Sequence, residues 1–221
     1  RDPRREVAAD STIRVALDPT RRYVSRGGLK LEHALSAWEL DVSDAVVLDA
    51  GASTGGFTDC LLQHGARAVH AVDVGYNQLD YRLRRDPRVI VHERTNIMEV
   101  IELEPLPTAA VADLSFRSLR GAAVHLWTLV DRRWMVLLIK PQFEWADPPP
   151  EFTGTVPDGA VRPVLEHALQ GLAGEGIPLS ALVESPVRGR KGNREFLLLA
   201  GYRERRAGVD ELLAGLGGPT S

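Results

Sequence analysis

The sequence predicts a doubly wound α/β fold, a mostly parallel seven-stranded sheet with helices on both faces. Three features point to it. Short apolar runs alternate with helical stretches along the chain, four of these runs end on a charged residue (Asp49, Asp73, Asp113 and Lys140), and a glycine-rich turn follows the first.

Taken in order, Thr12 to Leu17 alternate apolar and polar residues before Asp18-Pro19, and residues 1–22 read as a linker or the tail of a preceding module. From Tyr23 the text turns helical, with Leu31, Leu35 and Trp38 on one apolar face and Lys30 off it. Val46-Val47-Leu48 is a strand ending in Asp49, and Phe57 to His64 reads as a helix after the turn. Ala68 to Val72 is a second strand ending in Asp73, followed by a helix around Gln78–Arg84 that Asp86-Pro87 stops. Val89-Ile90-Val91, Ala109 to Ala112 and Trp134 to Ile139 are the next three strands. Helices fall at Leu119–Val130 and Val161–Leu172, and two late strands, Leu179–Glu184 and Phe196–Leu199, form a hairpin at the sheet edge around a basic, glycine-containing turn. Residues 23–204 make one domain, with 205–221 as a C-terminal helix or tail.

The 221 residues, 44% hydrophobic and 26% charged, suit one large globular domain and exclude disordered and fibrous classes. The single cysteine, Cys60, excludes an internal disulfide framework, and no apolar run nears the roughly 18–20 residues of a membrane span. A cytoplasmic protein is expected. The six histidines show no metal-ligand spacing, so no metal is expected either, and without a G-x-S-x-G elbow Ser53 and Ser115 do not read as hydrolase nucleophiles. With a net charge of −3, any nucleic acid must be met by local basic patches. The basic residues are 24 arginines and only three lysines, Lys30, Lys140 and Lys191. Arginine effectively never deprotonates in proteins whereas lysine can, so lysines retained in such a background are candidates for chemistry.

In open α/β sheets ligands bind beyond the carboxyl ends of the strands. There the turn Asp49-Ala50-Gly51-Ala52-Ser53-Thr54-Gly55-Gly56-Phe57 lacks both the G-x-G-x-x-G spacing and a P-loop lysine. A carboxylate at its start suits a cationic or hydroxyl-bearing ligand better than a pyrophosphate. Asp73, 24 positions on, stands where an acid accepts hydrogen bonds from a ribose diol, and Asn96 where a base edge would lie.

The segments YVSRGGLKLEHAL (23–35), LDAGASTGGFTDCLL (48–62), DVGYNQL (73–79), DPRV and ERTN (86–96), ADLSF (112–116), IKPQFE (139–144) and KGNREFLL (191–198) occur in this order. Together they resemble the TlyA-type proteins, ribosomal RNA 2′-O-methyltransferases often labelled hemolysins and related to the FtsJ-like methyltransferases. The resemblance implies a Rossmann-like S-adenosylmethionine-dependent methyltransferase fold. It also implies S-adenosyl-L-methionine as cofactor, held by Asp49, Gly51, Ser53, Thr54, Gly55, Gly56 and Phe57 at the methionine end. Asp73 and Val74 would lie at the ribose, Asn96 at the adenine, with Asp113 beside them. A Lys-Asp-Lys-Glu tetrad falls on Lys30, Asp113, Lys140 and Glu195, with Lys140 as general base or hydroxyl-steering group, Lys30 as its electrostatic partner and the two acids as orienters.

Ribosomal RNA or a ribosomal subunit is the implied partner, with Arg22, Arg26, Arg188, Arg190, Lys191 and Arg194 placed to contact phosphates. Arg82 to Arg88 read instead as a solvated helix face, and Tyr23, Phe116 and Phe143 read as core residues at least as well as base-stacking ones. Relatives carry an N-terminal RNA-binding module of which residues 1–22 look like the tail, and a glycine- and lysine-bearing loop where this chain has the acidic, proline-rich Trp145 to Glu151. The competing readings are a non-catalytic RNA-binding or ribosome-associated protein and a membrane-lytic hemolysin. No signal peptide, basic amphipathic helix or apolar span favours the latter.

Overall fold

The computed structural model describes residues 22–115, 118–131, 134–202 and 205–216. The linker reading of residues 1–21 and the reading of Phe116 lie outside these residues.

Seven strands form one sheet: β1 (Val46–Ala50), β2 (Ala68–Asp73), β3 (Val89–Glu93), β4 (Ala109–Ala112), β5 (Trp134–Ile139), β6 (Leu179–Glu184) and β7 (Phe196–Ala200). Their order is β3-β2-β1-β4-β5-β7-β6. The first five run parallel, while β7 is antiparallel to both β5 and β6. The expected edge hairpin is therefore present, with β7 inserted between β5 and the edge strand β6.

Seven helices, α1 (Gly27–Ala37), α2 (Gly56–Gln63), α3 (Tyr81–Arg84), α4 (Ala122–Thr128), α5 (Pro141–Glu144), α6 (Asp158–Gly174) and α7 (Val209–Gly215), complete the described elements with a 3-10 turn at Ile97–Glu99. The central strands are apolar on both faces because both are covered. Leu48, Ala110, Leu137 and Ile139 pack with Leu126 of α4, Leu165 and Leu169 of α6 and Leu212 of α7. Val47, Val111, Val136 and Leu138 pack on the other side with Leu31 and Leu35 of α1 and Phe57 and Leu61 of α2.

The structure changes two of the sequence expectations. The helix read around Gln78–Arg84 shrinks to the single turn of α3, which starts only where the Asp80 side chain caps the Arg82 amide. Lys30, placed off the apolar face of α1 by its spacing, is buried. Its amine is turned into ion pairs that periodicity cannot register.

The parallel half also buries a titratable pair. His70 on β2 is fully buried; its Nε2–H donates to the Pro105 carbonyl at 2.8 Å, leaving Nδ1 to accept from His92 Nε2–H at 3.0 Å. Burial lowers the pKa of both rings, and the His70 charge further lowers that of His92. A histidine with a depressed native pKa binds fewer protons folded than unfolded. Its contribution to stability is full above about 6.5 and is lost as pH falls through the native value. In ¹⁵N NMR spectra His70 is accordingly expected to titrate below a free histidine, with the proton of its neutral form on Nε2.

Candidate active site

The sheet reverses direction of winding between β1 and β4, and the loops leaving these two strands part there to make a crevice. Gly51 sits at its floor with φ +82°, and a Cβ on it would lie 2.6 Å from the Asp113 carbonyl oxygen. The two strand ends thus approach as closely as backbone allows, tied by Asp113 N–H to the Ala50 carbonyl at 3.0 Å. On the other side Gly51 and Ala52 donate to the Val72 carbonyl at 2.8 and 3.1 Å.

Two cavities open from this point. The smaller, about 290 Å³, is lined by Gly51, Ser53, Asp73, Val74, Gln78, Asn96, Ile97, Asp113, Leu114 and Ser115 among others. Asp73 is fixed at its rim: Oδ2 accepts from Ser53 N–H at 2.8 Å and Oδ1 from Gly75 N–H at 2.7 Å. Each carboxylate oxygen retains a lone pair for a ligand. Asn96 lines the same cavity while its Oδ1 accepts from Met98 N–H at 3.1 Å, starting the 3-10 turn.

The larger cavity, about 910 Å³, is lined by Lys30, Asp113, Lys140 and Glu195, the four residues of the expected tetrad. Their convergence follows from topology. Asp113 and Lys140 leave the carboxyl ends of β4 and β5, while Glu195 enters β7, whose antiparallel direction brings its first residue to that same edge. The register pairing Ile139 with Phe196 sets Lys140 beside Glu195, and Lys30 reaches in from α1.

Lys30 Nζ lies 2.5 Å from Glu195 Oε2 and 3.8 Å from Asp113 Oδ2, and Lys140 Nζ pairs with Asp113 Oδ1. Lys140 Nζ also donates to the Leu114 carbonyl at 3.0 Å and to Ser115 Oγ at 3.1 Å. The side chains of Lys30 and Lys140 are only 11% and 10% exposed. Charges so withdrawn from water must be paired, and acid and amine alternate here as Glu195, Lys30, Asp113, Lys140.

Other expected site residues are placed as follows. Ser53, Thr54, Gly56 and Phe57 line the larger cavity with Gly51, and Val74 lies in the exposed wall of the smaller one. Asp49 lines neither cavity. Its side chain points from β1 under α2, 0% exposed, with Thr58 Oγ1 donating to Oδ2 at 2.6 Å and Oδ1 unpartnered. Burial pushes its pKa up to about 7 against the pull of Thr58, and nearby Asp113 adds to the rise. Gly55 is likewise buried, facing Leu79 and Leu83.

Of the basic residues, Arg26, Arg188, Arg190 and Lys191 line the larger cavity. Arg22 is instead paired with Glu32, and Arg194 holds Glu184 through two hydrogen bonds of 2.8 and 2.5 Å. The solvated reading of Arg82–Arg88 fits, with Arg82, Arg84 and Arg88 in ion pairs with Asp80, Glu93 and Asp86. Tyr23 is buried against Gly28, whereas Phe143 faces the cavity with its ring 5.8 Å from Lys140 Nζ.

Sequence reasoning passed over Gln78, Gln142, Phe152 and Asn193. Asn193 is buried, donates to the Gly154 carbonyl and accepts from Val156 N–H, both at 2.8 Å. It ties the basic loop before β7 to the proline-rich loop after α5, so both loops form one wall. Its place in KGNREFLL, two residues from Glu195, was the one available signal.

The sequence model of the FtsJ-like methyltransferase family matches residues 23–202, every described element but α7. The chain belongs to this family. It is 39% identical over 203 residues to the 16S/23S rRNA (cytidine-2′-O)-methyltransferase TlyA of Mycobacterium tuberculosis, covering 89% of this chain and 75% of that one. A Lactococcus lactis protein provisionally named a hemolysin superposes with a TM-score of 0.79 at 37% identity, over 88% of this chain and 98% of its own. An S-adenosylmethionine-dependent methyltransferase of Mesorhizobium loti shares the fold alone, with a TM-score of 0.53 at 14% identity over 76% and 95% of the two chains. Among the described residues of this FtsJ-like protein, no helix is long and apolar enough to cross a membrane and no cluster of acidic, histidine or cysteine side chains could hold a metal.

Substitutions at the crevice floor and under α2 should change stability in different ways. Gly51→Ala forces a left-handed backbone on alanine and drives its Cβ into Asp113, so urea unfolding should record a loss of about 1–3 kcal/mol. For Asp49, a native pKa above the unfolded value means that the folded state binds the extra proton, so its contribution to stability falls as pH rises from about 4 to about 7. Asp49→Asn cannot ionise. Relative to the parent its unfolding free energy should gain roughly 2–4 kcal/mol between pH 4 and pH 8, since each pH unit between the two pKa values is worth about 1.4 kcal/mol.

Proposed function

We propose that this protein transfers a methyl group from S-adenosylmethionine to a ribose 2′-hydroxyl of ribosomal RNA. The observation that carries this reading is the meeting of Lys30, Asp113, Lys140 and Glu195 in a cavity that shares its floor with the Asp73 cavity. Asp113, Gly51, Ser53 and Ser115 line both. The name of the mycobacterial relative, a cytidine-2′-O-methyltransferase, supports the same substrate class.

The smaller cavity fits the adenosine part of the cofactor. Asp73, held by two backbone N–H groups, presents acceptors to a diol, and Asn96 and Ile97 flank the space beyond. The Gly51–Gly56 turn provides the close backbone approach for the methionine part, which leads into the tetrad cavity. When bound, S-adenosylmethionine supplies a methyl on a cationic sulfur.

This chain's residues then have separable tasks. Lys140 steers the ribose hydroxyl and receives its proton. Asp113 spans both lysines and fixes their spacing, and Glu195 holds Lys30 so that its charge faces the reacting oxygen. Placement of nucleophile and methyl carries much of the acceleration in such two-substrate transfers. Arg26, Arg188, Arg190 and Lys191 provide phosphate contacts that position a strand without reading its sequence.

Transfer of labelled methyl from S-adenosylmethionine to isolated small and large ribosomal subunits tests this. Label on one or both is expected, falling at least about 100-fold in Lys140→Ala, the usual scale for loss of a general base. Cofactor binding without label on either subunit would overturn the catalytic reading in favour of a ribosome-associated binding protein.

A further inference from the structure

The loop leaving β4 wraps the Lys140 amine with three consecutive residues. Asp113 Oδ1, the Leu114 carbonyl and Ser115 Oγ stand around Nζ, matching in number the three N–H groups of an ammonium. These acceptors are not equivalent. A carboxylate and a peptide carbonyl only accept, whereas a hydroxyl accepts or donates according to how its O–H turns. When Lys140 is an amine, two N–H groups are satisfied by Asp113 and Leu114, and its lone pair lies in the one direction left, toward Ser115. Ser115 is also exposed and lines both cavities, while Lys140 is nearly buried and lines only the larger.

We infer that Ser115 is the proton relay between the substrate hydroxyl and Lys140. The inference rests on the ribose methyltransferase reading above. The ribose O–H donates to Ser115 Oγ while the Ser115 O–H donates to Nζ. As the ribose oxygen forms its bond to the methyl and the methyl–sulfur bond breaks, the ribose proton passes to Ser115 and the Ser115 proton to Nζ. The sulfur keeps the bonding pair and becomes a neutral thioether. Lys140 ends as an ammonium whose third N–H points back at Ser115 Oγ, which the 3.1 Å Nζ–Oγ separation accommodates, and it returns its proton to water before the next turnover. The cradle thus serves both protonation states of the lysine with a single hydroxyl rotation.

The test uses Ser115→Ala and Ser115→Thr in the full chain, with Lys140→Ala beside them. Expected for Ser115→Ala is a fall in kcat of about 100-fold, with the KM for ribosomal subunits and the calorimetric affinity for S-adenosylmethionine within about threefold of the parent. Ser115→Thr, which keeps the hydroxyl, should recover kcat to within about tenfold. A readout on the protein alone exploits the chain's three lysines. In ¹⁵N-lysine NMR spectra, the Nζ signal of Lys140 should shift and exchange faster with solvent in Ser115→Ala, while those of Lys30 and Lys191 hold.

An unchanged kcat in Ser115→Ala with an inactive Lys140→Ala would overturn the relay and leave the base in place. Equal losses in the alanine and threonine variants, with cofactor affinity lost as well, would overturn it in favour of a structural role. An active Lys140→Ala would overturn the base and the relay together.

Discussion

Glu195, Lys30, Asp113 and Lys140 are drawn out of water onto one edge of the sheet, and the architecture around them is arranged to hold them there. They alternate in sign, and removing Lys30 would leave the Glu195 carboxylate, 4% exposed, without its ion-pair partner, at a cost of about 3–5 kcal/mol. No single element could bring them together. Lys30 comes from α1, Asp113 and Lys140 from the ends of parallel strands, and Glu195 from the start of the one strand that runs the other way. The antiparallel insertion of β7 is thus more than an edge embellishment. It turns the amino end of a strand toward the face where the parallel strands present their carboxyl ends.

The close approaches around this edge have the same origin. Gly28 leaves room for the Tyr23 ring under α1, and Gly51 lets β1 and β4 part with their backbones in contact. Glu144 adds a further brace: its buried carboxylate accepts from Ser118 Oγ at 2.5 Å and from Leu119 N–H at 2.8 Å, holding the far end of the loop that carries Asp113 to Ser115. Burial raises its pKa, the expected consequence of placing a carboxylate where only two donors replace water. The loop that grips Lys140 is therefore anchored at both ends.

The acidic, proline-rich segment after α5 takes a different part from the one its composition implies. Asn193 clamps Gly154 and Val156, Lys191 Nζ donates to the Thr153 carbonyl at 3.2 Å, and Phe152 faces the cavity. Phe152 and Gly154, which follow this segment, line the site, whereas its exposed acids, Asp147 and Glu151, do not. The basic residues Arg188, Arg190 and Lys191 line the cavity from the loop before β7.

The strand and helix succession, the parallel sheet and the polar residues at the strand ends were all legible in the amino-acid order. Each is written in local terms: an apolar run of five or six residues, a glycine turn, a charged stop. Lys30 and Lys140 also stood out against a background of arginine. Which of these residues share a cavity was settled by the packing of distant segments. Asp49 carries the same signal as Asp73, a carboxylate at a strand end, yet the alternation of side chains along β1 sends it beneath α2, where burial lifts its pKa. Arg22 and Arg194 look like their neighbours Arg26 and Arg190, but Glu32 and Glu184, ten residues from each, neutralise them. The contacts of Ser115 and Asn193 could not be read from the sequence, because their partners lie 25 and 37–39 positions away, and for Asn193 only its place in KGNREFLL gave a signal. Periodicity reports which face a residue occupies. It carries no record of what another strand brings to meet it.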